Sequence, residues 1–228
     1  MDDLKRRQIL EVAAGILERD GEPAVSTRSV AAAAGIRAAS LYQLFGDKDG
    51  LLAALAIHAF EVYLAEKREL ETTGDPVEDM RLGWDRHVDF GLRHPAFYLL
   101  MYGTDRPGRQ APAAGEATAE LRRFFDRVAA AGRLRVPPDL AVTMCLAACT
   151  GVTLSLIATA PGRRDPELSG RMREALIAAT TTDPPALADP GLAARALALD
   201  AALATADAVA LRPPETALLR DWLTRLAR

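Results

Sequence analysis

One short stretch of the chain, residues 26–48, carries side chains of the types that can bond DNA. From Ser26 to Phe45 there are two arginines and no acidic side chain. Arg, Lys, Ser, Tyr and Gln are the side chains that bond the phosphates and base edges of DNA. The donors of this kind are Arg28, Arg37, Ser40, Tyr42, Gln43 and Lys48.

Two short helices around a glycine must hold these donors in place. Ser26 can cap a helix through Ala34, because its hydroxyl can accept from free N–H groups of the first turn. Gly35 ends that helix, and a second helix is predicted over 38–45. This is the layout of a helix-turn-helix, in which the second helix enters the major groove. The side chains expected to face inward are Val30, Ala31, Ala34, Ile36, Leu41 and Phe45.

The remainder of the chain is also predicted to be helical, which makes the fold class all-α. Apolar residues recur at helical spacing, and period-two alternation does not extend beyond a few residues. The chain has 228 residues, 50% hydrophobic and 26% charged, which is typical of a globular protein. Besides a first helix ending at Asp20 and a helix over 48–72, helices are expected near 76–93, 95–102, 116–131, 138–159, 166–181, 190–210 and 214–227.

Residues 8–55 resemble the N-terminal domain of the tetracycline-repressor (TetR) family of bacterial transcriptional regulators. The resemblance rests on Ser26 to Gly35, Ser40-Leu41-Tyr42, Phe45, and Lys48 with Leu51 at the family's spacing. It implies a DNA-binding domain over 1–50 and a larger helical ligand-binding and dimerisation domain over 51–228. It also implies a homodimer that binds a palindromic operator in double-stranded DNA and releases it when a small-molecule effector binds.

The same resemblance assigns roles within the motif. Thr27 and Arg28 would begin the first motif helix and meet the DNA backbone, while Arg37, Ala39 and Ser40 would lie at the start of the recognition helix. Tyr42 and Lys48 would contact phosphates. The chain departs from many relatives at Ala38, Ala39 and Gln43, where polar or basic residues are common. Gln43 can pair with adenine, whereas an alanine can only touch a thymine methyl group.

The charge balance requires the DNA-binding surface to be local. Residues 1–50 contain seven Lys and Arg against eight Asp and Glu, and the whole chain has a net charge of -3. Most of these acids lie outside the motif, so its exposed face can still be positive. DNA binding is therefore expected to be strongly salt-sensitive.

An aromatic and histidine-rich pattern from Trp84 to Met101 indicates either a packed core or a ligand pocket. The pattern Trp84-x-x-His87, continued by His94-Pro95-x-Phe97-Tyr98, resembles the regulatory domain of one TetR subgroup, as does Thr150-Gly151-Val152. Pockets of this kind are apolar with a few polar groups, and an apolar or aromatic effector is expected. The candidate lining residues are Trp84, His87, Tyr98, Met101, Phe125, Met144, Thr150 and Ser155.

Other classes of function have little support in the sequence. Cys145 and Cys149 give only two ligands in an apolar run, so no metal site is predicted. No phosphate loop, nucleophile elbow or acid pair predicts an enzyme, and no cofactor is expected. No signal peptide or membrane span is predicted, which favours a cytoplasmic protein. The alternative is a small-molecule-binding or interaction module of the same fold with little specific DNA affinity.

Overall fold

Helix boundaries follow capping and turn signals through most of the chain. The computed structural model describes residues 2–68, 72–103, 112–182, 191–205 and 211–227. Within these ranges there are eleven α-helices, two 3₁₀ turns (Glu22–Ala24 and Pro161–Arg163) and one isolated β-bridge between Leu134 and Thr181. The helices are α1 Asp2–Asp20, α2 Thr27–Ala33, α3 Ala38–Phe45, α4 Lys48–Arg68, α5 Pro76–Arg93, α6 Pro95–Tyr102, α7 Pro112–Ala130, α8 Pro138–Ala158, α9 Leu168–Thr180, α10 Gly191–Thr205 and α11 Pro213–Leu226.

The all-helical prediction is confirmed, and the differences fall at helix ends. Helix α3 has the predicted bounds, whereas α7 begins at Pro112 rather than at residue 116. Thr72, predicted to end α4, is not helical. Residues 69–71, 190 and 206–210 of the helices predicted over 48–72 and 190–210 lie outside the described residues.

One apolar core joins the N-terminal helices to the rest of the chain. Its buried members come from α1 to α4 and include Leu17, Leu41 and Leu55, but also Phe97 and Tyr98 of α6. Helix α4 carries buried residues along most of its length, from Leu51 to Leu64. The predicted domain boundary at residue 50 therefore falls in the first turn of a continuous helix that contributes to this core.

A second core is built by α5, α7, α8, α9, α10 and α11, around Trp84, Phe125 and Leu156. Helix α5 meets α6 closely in this region. A Cβ atom on Gly91 would lie 2.3 Å from Cγ2 of Thr153 and 2.8 Å from Cδ2 of Tyr98. Glycine is needed there because no larger residue fits between α5, α6 and α8.

Helix α8 has an apolar surface, much of which is not buried by the rest of the chain that the structure describes. It is long and apolar enough to cross a membrane by length and composition, with a mean hydropathy of 2.1, although Thr, Ser and Gly interrupt its apolar runs. Only 33% of its most apolar stretch is buried. A single helix of this kind is weak evidence for a membrane span, because the core helix of a soluble protein passes the same test. The apolar surface of α8 that remains exposed would be stabilised by contact with another apolar surface.

Candidate functional site

Local hydrogen bonds fix the start of the helix-turn-helix. The Ser26 hydroxyl accepts from the Ser29 amide at 3.0 Å, and the Ser29 hydroxyl donates to the Ala24 carbonyl at 2.7 Å. The Ser26 amide also donates to the Ser29 hydroxyl at 3.0 Å, and these reciprocal bonds between Ser26 and Ser29 cap α2, as the sequence predicts for Ser26. Gly35 then turns the chain with φ of +65°, a conformation that side chains disfavour. Helix α3 follows with Leu41 and Phe45 buried against the core.

The predicted DNA-contact residues are accessible at this surface. The side chains of Arg28, Arg37, Ala39, Gln43 and Lys48 are exposed, while Thr27 and Ser40 are half-buried. Tyr42 is 53% exposed although its neighbour Leu41 is fully buried, so its phenol projects from the recognition helix. The Thr27 hydroxyl donates to the Tyr42 hydroxyl at 3.3 Å. This hydrogen bond links the two motif helices at their outer surface.

Arg6 of α1 supports the recognition helix from behind, a role that sequence reasoning missed. Its guanidinium lies 4.6 Å from the centre of the Phe45 ring and donates to the Leu44 carbonyl at 2.8 Å. The next helix begins at Lys48, where Asp47 accepts from the Gly50 amide at 2.8 Å. Lys48 is thus held at a capped helix N-terminus, where backbone N–H groups favour a phosphate.

A cavity of about 340 Å³ opens in the larger helical region, between α4, α5, α7 and α8. Three of the predicted pocket residues line it, namely Trp84, His87 and Phe125. The lining does not include Tyr98, Met101, Met144, Thr150 or Ser155. Tyr98 is fully buried behind His87, and Ser155 is exposed on α8. Residues that sequence reasoning did not propose as lining include Tyr63, Lys67, Tyr102, Phe124, Cys145 and Cys149.

His87 is the centre of a buried hydrogen-bonded triad. Its Nδ1 lies 2.9 Å from the Tyr63 hydroxyl, and its Nε2 lies 2.6 Å from the Tyr98 hydroxyl. Burial, and then the nearby charge of Lys67, lower the pKa of His87 to about 3. A neutral imidazole has one donor and one acceptor nitrogen, so one tyrosine donates to it and the other accepts. Tyr63 and His87 therefore form an uncharged part of the cavity wall, and Tyr98 supports His87 from behind.

Two further groups shape this wall without adding charge. Trp84 Nε1 donates to the Ser169 hydroxyl at 2.9 Å, which orients the indole ring. Burial raises the pKa of the Cys145 thiol to about 11 and that of Cys149 as well, so both remain protonated at neutral pH. Within the described residues no group of three or more His, Cys, Asp or Glu side chains could hold a metal ion.

The junction of α5 and α6 connects the cavity region to α1. His94 ends α5, and its Nδ1 lies 2.6 Å from Oε1 of Glu18 on α1. The neighbouring Arg93 donates to Glu66 of α4 at 2.6 Å. The same α5 carries Trp84 and His87 on the cavity wall. The His94–Glu18 contact therefore links the end of α5 to α1, which packs against α2 of the helix-turn-helix.

Comparison with known proteins supports the N-terminal assignment. Residues 9–55 match the model for bacterial regulatory proteins of the tetR family. No curated protein matches the chain.

Several solved structures share the fold. A protein of unknown function from Rhodococcus sp. RHA1 is 25% identical, with a TM-score of 0.64 over 78% of this chain and 96% of that chain. A TetR-family transcriptional regulator from Agrobacterium tumefaciens is 22% identical, with a TM-score of 0.59 over 80% and 100% of the two chains. The fatty acid degradation regulator FadR from Bacillus halodurans is 16% identical, with a TM-score of 0.63 over 76% and 94%. The chain thus carries a tetR-family helix-turn-helix domain at its N-terminus and has the fold of TetR-family transcriptional regulators.

Proposed function

We propose that the protein is a cytoplasmic, ligand-responsive transcriptional repressor that binds a palindromic operator as a homodimer. The observation that carries the proposal is the acid-free exposed face of α2 and α3, joined through one core to a helix that borders a cavity. Arg28, Tyr42 and Lys48 would hold the phosphates, and Gln43 would read a base edge.

Dimerisation is supported by an apolar stripe on α11. Leu218, Trp222 and Leu226 are each about half exposed and follow one another at four-residue spacing. Around the helix axis, these three side chains lie next to the buried Leu223. Polar side chains of α11 lie on the opposite face. The under-covered α8 offers a second apolar surface. We assign α8 and α11 to the dimer interface, and binding to a palindrome would require the two recognition helices to lie about 34–36 Å apart.

An effector in the cavity would act through α5. A ligand that moves Trp84 or His87 shifts the helix whose end, His94, contacts Glu18 of α1. Two recognition helices that leave the spacing of one DNA turn lose affinity for the operator. Coupling of this kind is typically worth about 1–3 kcal/mol and is reciprocal, so that the operator also weakens effector binding.

Gel-shift titration of the purified dimer against DNA from upstream of its own gene tests the DNA site. The double variant Arg28→Ala with Tyr42→Ala should lose most of its operator affinity, because both side chains are exposed on the motif surface. Arg163→Ala is the matched control, since it removes an exposed positive charge far from the motif. Unchanged binding by the double variant would show that the site is misassigned.

The exposed Ala38 and Ala39 favour one alternative, a small-molecule-binding or interaction module with little specific DNA affinity. Neither side chain can donate a hydrogen bond to a base, so base recognition by α3 depends on few residues. Affinity for upstream DNA and for random DNA of equal length, measured at one salt concentration, separates the two functions. Equal affinities would favour the module.

A further inference from the structure

The cavity wall carries more positive than negative charge. Four cationic side chains line it, Lys67, Arg68, Arg123 and Arg127, against two acids, Asp79 and Glu120. From the sequence we expect a pocket without a fixed charge, so the positive charge of this wall differs from the prediction. The cations come from α4 and α7, which face each other across the cavity.

Arg68 and both acids already have partners, whereas Arg123 lies 4.0 Å from Glu120 and Arg127 lies 5.4 Å from the centre of the Phe124 ring. Arg68 lies 2.9 Å from Glu116 and 3.1 Å from Glu120, so this ion pair occupies the Glu120 carboxylate. Asp79 accepts hydrogen bonds from the amide and hydroxyl of Thr73 at 2.7 and 2.8 Å.

Lys67 differs from the other three cations of this wall in its burial, since Arg68, Arg123 and Arg127 are exposed. It is half-buried, and among the described residues no carboxylate lies within 4 Å of its ammonium. The ammonium instead lies 5.7 Å from the centre of the Tyr63 ring, within the range of a weak cation–π contact. Burial lowers the pKa of Lys67, although the negative charge of nearby Glu120 opposes part of this shift.

The remainder of the wall is apolar and largely aromatic. Tyr63, Trp84, Tyr102, Phe124 and Phe125 surround the cavity, with the protonated thiols of Cys145 and Cys149 beside them. A cavity of about 340 Å³ with such walls fits the body of a small apolar ligand. Among the charged side chains that line the cavity, Lys67 is half-buried beside these aromatic walls.

We infer that the effector is an amphipathic anion, an apolar or aromatic body with one acidic group, whose carboxylate, sulfonate or similar oxyanion pairs with the ammonium of Lys67. This inference rests on the proposed function, because it names the chemical class of the ligand for that cavity. A bound anion would provide the counter-ion that Lys67 lacks, and the hydrogen bonds would be charge-assisted.

Two fluorescent probes with one skeleton test the charge requirement. Anilinonaphthalene sulfonate carries an acidic group, and N-phenyl-1-naphthylamine lacks it. Both are titrated into the full-length wild-type protein and into the variants Lys67→Met, Lys67→Arg and Lys5→Met, with stoichiometry measured per subunit. Lys5 is an exposed lysine on α1 and serves as the matched control.

The expected result is one high-affinity sulfonate site per subunit, weakened at least about tenfold, or about 1.4 kcal/mol, by Lys67→Met. Lys67→Arg should largely restore it, Lys5→Met should not change it, and the neutral probe should bind wild type and Lys67→Met equally. Equal loss of both probes in Lys67→Met, or no loss of either, would overturn the inference.

Failure of this inference is distinguishable from failure of the proposed function. Operator binding by each variant is measured in parallel by gel shift. If the protein binds its operator but the Lys67 variants do not discriminate between the probes, only the effector class is wrong. If the probes discriminate but no operator is bound, the anion site stands and the regulator function fails.

Discussion

Acidification should destabilise the protein through His87. Its pKa is lowered to about 3 in the folded protein, chiefly by burial, against about 6.5 for an unperturbed histidine. Between these values the unfolded chain binds a proton that the folded chain does not. The free energy of unfolding therefore falls as the pH falls below about 6.5, and is insensitive to this group above that value.

The size of the effect follows from the width of this window. One pKa unit corresponds to about 1.4 kcal/mol, so lowering the pH from about 7.5 to about 5 should cost about 2 kcal/mol per subunit from His87 alone. Other titrating groups add their own contributions. The comparison must therefore be made against a variant that lacks the proton site.

Urea unfolding followed by far-ultraviolet circular dichroism, at a fixed protein concentration, measures the effect in wild type and His87→Gln. Glutamine keeps a donor and an acceptor for Tyr63 and Tyr98 but does not titrate. Wild type should lose about 2 kcal/mol more than the variant over the same pH interval. Equal losses would refute the view that His87 is buried and neutral in the folded protein.

Three further predictions concern the DNA face, the dimer and the helix crossing. Tyr42→Phe should weaken operator binding about tenfold, the loss of one hydrogen bond to a phosphate, as measured by fluorescence anisotropy. Trp222→Glu should convert the dimer to a monomer in size-exclusion chromatography with light scattering, because it places a charge in the apolar stripe of α11. Gly91→Ala should lower the free energy of unfolding by about 1–3 kcal/mol, because its methyl group would overlap Thr153.

Matched variants separate these effects from general damage. Lys48→Ala should reduce the slope of log affinity against log salt by about 0.9, whereas Tyr42→Phe, which removes no charge, should leave it unchanged. Thr224→Glu lies on the polar side of α11 and should remain dimeric. Gly170→Ala meets no atom within 4 Å and should be at least as stable as wild type. A dimeric Trp222→Glu, or a Gly91→Ala as stable as Gly170→Ala, would contradict the packing described here.

The N-terminal motif could be predicted from sequence because its signals are local. A serine cap at Ser26 and glycines at 35 and 46 with φ of +65° and +77° define the two short helices. The buried positions follow the helical period, so Leu41 and Phe45 could be assigned to the core. Arg6 could not, because its contact with Phe45 spans 39 positions of sequence and depends on how α1 crosses α3.

The cavity was predictable only in part. An aromatic and histidine-rich pattern at helical spacing indicates a buried stripe, and it is the basis on which Trp84, His87 and Phe125 are proposed. It does not show which part of that stripe borders a void, so the fully buried Tyr98 was proposed on equal grounds. Lys67 was missed because a lysine on an amphipathic helix is normally solvated. Its position here depends on how α4 and α7 pack together.

Two kinds of contact join the cavity region to the proposed DNA-binding surface, the Glu18–His94 pair and apolar packing, and they differ in free energy. The Glu18–His94 contact is partly exposed, and pairs of this kind contribute at most about 1 kcal/mol. Coupling between ligand and operator typically needs about 1–3 kcal/mol. Leu17 of α1, Phe60 of α4 and Phe97 of α6 share one buried core, and burying each such side chain is worth about 1.5–3 kcal/mol. In the proposed mechanism, repacking of α1 against α4 and α6 would therefore have to supply most of the coupling, with a smaller contribution from the Glu18–His94 contact.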